Sequence, residues 1–367
     1  MSGSIYGKHF QISTWGESHG KAIGVVIDGC PAGLPLCEED IQPWLNRRKP
    51  GQSRYSTPRK EDDAVEILSG TFEGMTTGTP ISMLVYNKTH RSSDYSEIAS
   101  YYRPGHADFT YDQKYGFRDY RGGGRSSGRE TIARVAAGAV AAKILSELGV
   151  SFLTYTRSIG PVCIHPERFC ADEIWKNPLY MPDAQAAAEA SDWLDTCMKN
   201  QDSSGGIVEC IIKGVPAGVG EPCFEKLNAV LAKAVMSIGA VKAFEIGDGI
   251  AAASATGSAN NDAFVPGANG QPVKSSNHAG GILGGISDGS DIILRAAIKP
   301  TPSISSLQKT VSKSNEAMEI SIRGRHDPVI VPRAVVVVES MTAIALTDML
   351  FESMTSRMDQ LRRFFLK

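Results

Sequence analysis

The chain has 367 residues, 42% of them hydrophobic and 21% charged, the composition of an ordinary globular protein with room for two or three average domains or one large one. Its 38 lysines and arginines against 40 aspartates and glutamates argue against bulk attraction to nucleic acid or to an anionic membrane surface. The opening MSGSIYGKHFQIS carries no secretory apolar stretch, and no run approaches the ~18 apolar residues of a membrane span, so a cytoplasmic protein is expected.

In chain order, Ala22–Asp28 (AIGVVID) predicts a strand that breaks at Gly29-Cys30-Pro31-Ala32-Gly33. A helix over about 38–48 follows, closed by Pro50, and strands are expected over 65–68 and Ile81–Tyr86. Residues 115–138 read YGFRDYRGGGRSSGRETIARVAAG: three glycines, then a helix over 129–148 with Ile132, Val135, Ala136 and Ala139 on its buried face. Ser127 and Glu130 have capping-box spacing, which predicts the helix start. Residues 183–200 read as a polar-faced surface helix.

The pattern then returns. A strand over 207–213 breaks at Gly214-Val215-Pro216-Ala217-Gly218, a helix is expected over 224–237, and strands over 244–246 and 291–298. The G-x-P-A-G corner thus occurs twice, 185 residues apart, each time between strand and helix. This predicts an internal duplication: one pseudo-symmetric α/β domain over 1–367, with halves of about 1–200 and 201–367 and a ligand at the seam. The alternative is coincidence between two proline turns. The chain closes in a long apolar helical pattern over about 333–365, with Pro332 at its first position, buried in the core or against another subunit.

Two segments concentrate positive charge. Arg121, Arg125, Arg129 and Arg134 surround the glycine-rich helix start, where backbone N–H groups are free to hold an anion. Between Arg47 and Lys60 stand six basic residues and no acidic one; Arg54 and Arg59 lie beyond the helix whose dipole would account for Arg47 and Arg48. One tyrosine among them and a neutral chain suit a small, highly anionic ligand better than a nucleic acid. His19, His106, His278 and His326 each lie in a loop beside glycine, where an imidazole can approach a ligand and trade a proton near neutral pH. Lys299-Pro-Thr-Pro-Ser303 forms a rigid corner with hydroxyls and an ammonium, suited to phosphate or a flavin edge. Asp327 is either an ion-paired structural carboxylate or a base. The seven cysteines are scattered, without C-x-x-C spacing, so reduced thiols and no metal site are expected. No G-x-S-x-G, P-loop or Rossmann fingerprint is present.

GESHGKAIGVVIDGCPAG (16–33), RRKPGQSRY (47–55), the 103–138 segment, SNHAGGILGGISDG (276–289), KPTPS (299–303) and GRHDP (324–328) resemble, in order, the signature blocks of the chorismate synthase family. The resemblance implies a lyase that converts 5-enolpyruvylshikimate 3-phosphate to chorismate by 1,4-anti elimination of phosphate, using reduced FMN without net redox change. It implies a helical layer between two antiparallel β-sheets, with internal pseudo-two-fold symmetry, in a homotetramer. Carried over by motif, His19 would face the departing phosphate, His106 would sit by the flavin, and Asp327 would accept the proton. Ser18, Arg48, Arg54, Arg103, Arg129 and Arg134 would bind substrate, with NADPH as another assignment for Arg48 and Arg54. Arg125, Ser126, Ser127, Gly284, Lys299, Pro300, Thr301, Pro302, Ser303 and Arg325 would hold FMN. An Asn-Ala flavin contact of the family is replaced here by Gly239-Ala240, which lacks the amide, and Cys37 replaces the usual Ser or Thr before the first helix. Two alternatives stand beside the flavin-dependent lyase: a bifunctional form that reduces FMN with NAD(P)H itself, and a non-catalytic anion- or RNA-binding module using the 47–60 and 121–134 arginines.

Overall fold

The computed structural model describes residues 3–57, 61–88, 97–268, 270–322 and 327–366. The first sheet contains β1 (Ile5–Tyr6), β2 (Gln11–Gly16), β3 (Ala22–Asp28), β4 (Val65–Ser69) and β5 (Ile81–Tyr86), in the order β1-β2-β3-β5-β4 with every pair antiparallel. The second contains β6 (Ser151–Ile159), β7 (Val162–Cys163), β8 (Gly206–Lys213), β9 (Val241–Ile246) and β10 (Ile292–Ile298), in the order β9-β10-β8-β6-β7, again antiparallel throughout. The helices of eight or more residues are α1 (Glu38–Arg48), α2 (Asp108–Tyr115), α3 (Thr131–Glu147), α4 (Ala184–Lys199), α5 (Leu227–Met236), α6 (Val331–Ser353) and α7 (Met358–Phe365).

Helix α3 packs on β2, β3 and β5, α6 packs on β6 and β8, and α3 and α6 pack along each other. That placement explains their composition. The four positions expected on the buried face of α3 are buried, but so are Ala133, Ala137, Val140 and Ala141 on the remaining faces, because the helix is enclosed on all sides. Helix α6 reaches a mean hydropathy of 1.8 and is long and apolar enough to cross a membrane, contrary to the expectation that no run approaches that length; 89% of its apolar window is buried inside the protein. The long terminal helix expected over 333–365 is two helices, α6 and α7, with a break at 354–357.

Capping differs from the reading at one helix start. Ser127 accepts from Arg129 N and caps a short 3₁₀ turn, while Glu130 turns away to Arg134 and Thr14, so no capping box closes there. At α1 the Cys37 backbone N–H donates to Asp40 Oδ2 at 3.0 Å, the reverse half of a box, and an acidic first turn of Glu38, Glu39 and Asp40 complements the helix dipole.

The two G-x-P-A-G corners carry the same hydrogen-bond clamp. Thr76 Oγ1 donates to Pro31 O (2.6 Å) and accepts from Leu34 N (2.9 Å), while Gly33 N donates to Thr76 O (2.8 Å). Ser287 does the same at the second corner, donating to Pro216 O (2.6 Å), accepting from Val219 N (2.9 Å) and taking Gly218 N on its carbonyl (2.9 Å). Gly29 and Gly214 open the corners at φ +83° and +81°, the left-handed region that favours glycine.

The crossing of α3 and α6 is close because position 138 has no side chain: a Cβ there would lie 2.2 Å from Ser340 Cβ and 2.5 Å from its Cα. Alanine would recover about 1 kcal/mol of helix propensity but must force the helices apart, an overpacking cost of about 1–3 kcal/mol or more. Gly138→Ala is expected to lower the thermal midpoint, and Ser340→Gly in the same chain to restore part of it.

Candidate active site

The last turn of α1 delivers Arg48 into the protein, 3% exposed, where all three guanidinium nitrogens are engaged: Nε to Thr131 Oγ1 (3.0 Å), Nη1 to Asp63 Oδ2 (3.0 Å) and Nη2 to Gly128 O (2.8 Å). The Asp63 side chain is fully buried, on a left-handed backbone at φ +45°. Its other oxygen accepts from Arg129 Nη1 at 3.1 Å, so one carboxylate bridges two arginines. Glu61 also pairs with Arg129. Burial, with the charge of Arg333 beside it, brings Arg48 down to about 10 against the pull of Asp63. Arg333 in turn donates to Arg48 O (3.0 Å) and to Asp327 Oδ2 (2.5 Å), and Asp327 Oδ1 accepts the Thr57 backbone N–H (2.6 Å).

His19 lies on the turn between β2 and β3. Its Nδ1 is 3.1 Å from Ser18 Oγ, and a Cβ on Gly122 would stand 2.2 Å from that same nitrogen, so only glycine lets the 122–124 corner pass this close. Asn87 ties the turn down: its Nδ2 donates to Glu17 O and Gly20 O, and its Oδ1 accepts from Arg129 Nε. The corner itself is anchored by Arg125, whose guanidinium donates to Gly16 O, Thr14 O and Thr14 Oγ1. Ser126 Oγ donates to Gly123 O. Arg134 pairs with Glu130 and donates to Ser237 Oγ (2.6 Å).

A second group forms where the loop before α2 meets the end of β10. His106 Nδ1 lies 3.0 Å from Pro104 O, which can only accept, so Nδ1 carries the proton; Nε2, 2.7 Å from Ser303 Oγ, then accepts from that hydroxyl in the neutral ring. Burial, then the charge of Arg103, lowers the His106 pKa below its usual value and favours that neutral form. Lys299 Nζ donates to Gly105 O (2.8 Å), its pKa lowered by burial and by Lys242. Pro302 packs on Gly105 and Pro300 on Gly205, and Thr301 Oγ1 is buried without a hydrogen-bond partner. Ala240, at φ +73°, accepts Lys299 N at 2.9 Å, and Gly239 next to it faces open space.

The structure thus links Ser18, His19, Arg48, Arg129 and Asp327 through one hydrogen-bonded cluster, and gathers His106, Lys299–Ser303 and Ala240 in another. Other expected site residues lie elsewhere or have other partners. Arg54 does not join Arg48; it is 64% exposed and pairs with Asp195 on α4. Arg103 pairs with Asp108, and the Arg48 and Arg125 guanidinium groups donate to protein oxygens. Gly284 lines a separate cavity of about 250 Å³ with Lys226, Asn228, Ile246 and Ala279. That cavity lies at the Ile292 end of β10, a strand of 7 residues, whereas Lys299 follows its other end. The separation is roughly 20 Å at ~3.3 Å per residue. His278 is at the same far end, 2.7 Å from Asp248, so the four histidine loops do not all converge within one chain. Arg59, Lys60, Arg325 and His326 lie outside the described residues.

Sequence reasoning missed Asp63, Glu61, Asn87 and Arg333. The signal for the first two was present: Glu61-Asp62-Asp63 follows the basic run immediately, and a buried arginine needs a carboxylate. Nothing local marks Asn87 or Arg333.

Comparison with known proteins decides the family. The chorismate synthase family model matches residues 10–351. The chain belongs to the chorismate synthase family. It is 67% identical over 367 residues to the chorismate synthase of Agathobacter rectalis and 65% identical to that of Lachnoclostridium phytofermentans, each covering 100% of both chains. A crystal structure of chorismate synthase, 31% identical, superposes with a TM-score of 0.77 over 98% of this chain and 97% of that one. Members of the chorismate synthase family are carbon–oxygen lyases of the shikimate pathway, and this chain is an enzyme of that class with a mixed α/β fold.

Within this member of the chorismate synthase family two electrostatic outcomes are expected. Asp63→Ala leaves Arg48 and Arg129 short of their shared anion and should cost about 3–5 kcal/mol in a denaturant titration. Burial would raise the pKa of Asp108, but the hydrogen bonds and charge of Arg103, with Arg118, bring it to about 2. Its folded value is below its unfolded one, so the stabilisation is present above about pH 4 and lost as the pH falls towards 2. Asp108→Asn should remove about 2 kcal/mol at pH 7 and flatten stability between pH 4 and 2.

Proposed function

We propose that this chain carries out the elimination of phosphate from 5-enolpyruvylshikimate 3-phosphate with reduced FMN, using His19, His106 and Asp327. The observation that carries the reading is the joining of His19, Arg129 and Asp327, from distant parts of the chain, by Asn87, Asp63, Arg48 and Arg333. The residues of the Lys299 corner fit a flavin nucleotide: an unpartnered buried hydroxyl at Thr301, an ammonium at Lys299, a hydroxyl at Ser303 and a neutral imidazole at His106 offer donors and acceptors in one place. Ala240 completes that set; Ser126 and Ser127, on the glycine corner beside His19, are assigned to the flavin by motif, and Arg125 contributes by holding that corner to β2. FMN, when bound in reduced form, supplies electron density to the breaking C–O bond.

In this reading the protein's own residues act as follows. Arg129 and Arg134, at the start of α3, bind the substrate's anionic groups, with Ser18 beside them; Arg48 keeps Asp63 and Gly128 in place behind them. His19 stabilises the negative charge that develops on the departing phosphate, the electrostatic contribution that makes it a better leaving group. Asp327 accepts hydrogen bonds from Thr57 N and Arg333, which orient its carboxyl group, and takes the proton lost from the substrate ring.

The same reading includes a sandwich of helices between two sheets with an internal two-fold repeat over one domain, supported by the paired clamps at Thr76 and Ser287. It also includes a cytoplasmic homotetramer, supported by exposed apolar side chains such as Phe224, Ile250, Phe364 and Phe365. Flavin reduction is assigned to a separate enzyme; NADPH oxidation by the pure protein with FMN, and aerobic turnover on NADPH alone, would reverse that assignment. Among the described residues, Arg48 and Arg129 pair with Asp63, Arg134 with Glu130, Arg121 with Asp119 and Arg54 with Asp195, which speaks against an RNA-binding module.

The test is anaerobic phosphate release with reduced FMN. His19→Ala and His106→Ala are each expected to lower turnover by about 10–1000-fold with an unchanged circular dichroism spectrum, the scale of a lost proton-transfer group. The acid limb of the wild-type rate should lie below pH ~6.5, since His106 acts neutral with a lowered pKa. Wild-type rates in both variants would remove the histidines from the mechanism.

A further inference from the structure

Asn87 stands just beyond β5, where its backbone N–H donates to Lys21 O at 3.0 Å and carries the β3–β5 pairing one step past the strand ends. Its side chain uses every polar group it has. Nδ2 donates to Glu17 O at 2.9 Å and to Gly20 O at 2.8 Å, the two ends of the turn that carries Ser18 and His19. Gly20 N closes the same turn on Glu17 O at 3.1 Å. Oδ1 accepts from Arg129 Nε, while a different nitrogen of Arg129, Nη1, pairs with Asp63 and Glu61.

We propose that Asn87 is a positioning residue that sets the His19 turn in register with the anion-binding Arg129. The amide is the group that can do both at once: two donors for two carbonyls and one acceptor for a guanidinium. Aspartate keeps the acceptor and loses both donors; alanine loses all three. Arg129 can exchange the carboxylates on Nη1 for a substrate anion without releasing Nε from Asn87. The arginine that holds the anion and the turn that presents His19 therefore stay coupled through one side chain. The inference rests on the reading of His19 as the group that meets the departing phosphate.

The experiment measures anaerobic phosphate release with reduced FMN for Asn87→Asp, His19→Ala and the double variant, with amide hydrogen exchange over residues 17–21. Asn87→Asp should lower kcat by about 10–100-fold while KM stays within about threefold, because Arg129 keeps its acceptor. The Gly20 and Lys21 amides should exchange faster. The double variant should be no slower than His19→Ala alone, the non-additivity of two changes acting through one group. Should Asn87→Asp not fold, Asn87→Ser, which retains one donor, is read in the same way. A wild-type kcat for the folded Asn87 variant, or losses that multiply in the double variant, would overturn the proposal while leaving His19→Ala slow and the reading of His19 intact. His19→Ala at the wild-type rate would overturn both.

Discussion

A guanidinium taken out of water must find an anion, and the meeting of Arg48, Arg129 and Asp63 is the constraint on which the site is built. The carboxylate is fully buried and reaches both arginines only because its backbone adopts a conformation that non-glycine residues avoid. Three stretches are brought to one point by that single group: the end of α1, the start of α3 and the segment leading into β4. Arg333, from the first turns of α6, joins through the Arg48 carbonyl and brings Asp327 with it. At Arg48 and Arg129 the positive charge is therefore not displayed to solvent; it is organised inside by carboxylates, whereas Arg54 and Arg121 pair at the surface.

The two parts of the site use opposite electrostatics. Around Arg129 the positive charge is balanced and held by Asp63, Glu61 and Asn87. Around His106 the cations Arg103 and Lys299, together with burial, hold an imidazole neutral with a defined tautomer, its proton fixed on Nδ1 by a carbonyl. Arg134, reaching from Glu130 to Ser237, connects the first to the turn that precedes Ala240 and hence to the backbone of Lys299. Rigid elements support both. The arginines stand on helix ends, the histidines on short turns clamped by Asn87 and by Pro302.

Much of the local structure was legible. Ala22–Asp28, Glu38–Arg48 and Ile81–Tyr86 form the elements that their periodicity and flanking Gly-Pro corners predict, with the same bounds. The repeated G-x-P-A-G corner marked two places that fold with the same hydrogen bonds. The failures have a common cause. A capping box at Ser127 and Glu130 was a good local reading, but Glu130 is claimed by Arg134 and Thr14. One continuous terminal helix was a good reading of hydropathy, but the break at 354–357 falls where α6 leaves the core and exposed residues begin.

The amino-acid sequence alone determined the signature segments and their family, because tight glycine corners, arginine spacing and loop histidines are local demands of backbone geometry and charge. It also marked the arginine-rich segments. Which partner each arginine takes was decided only by the tertiary structure. Arg48, Arg54, Arg103 and Arg125 look alike in the chain, yet Asp63, Asp195, Asp108 and the carbonyls of β2 claim them one by one. Asp108 is only 5 residues from Arg103, but the other partners lie 15 to 141 residues away, and proximity across such separations is a property of packing that no local pattern encodes.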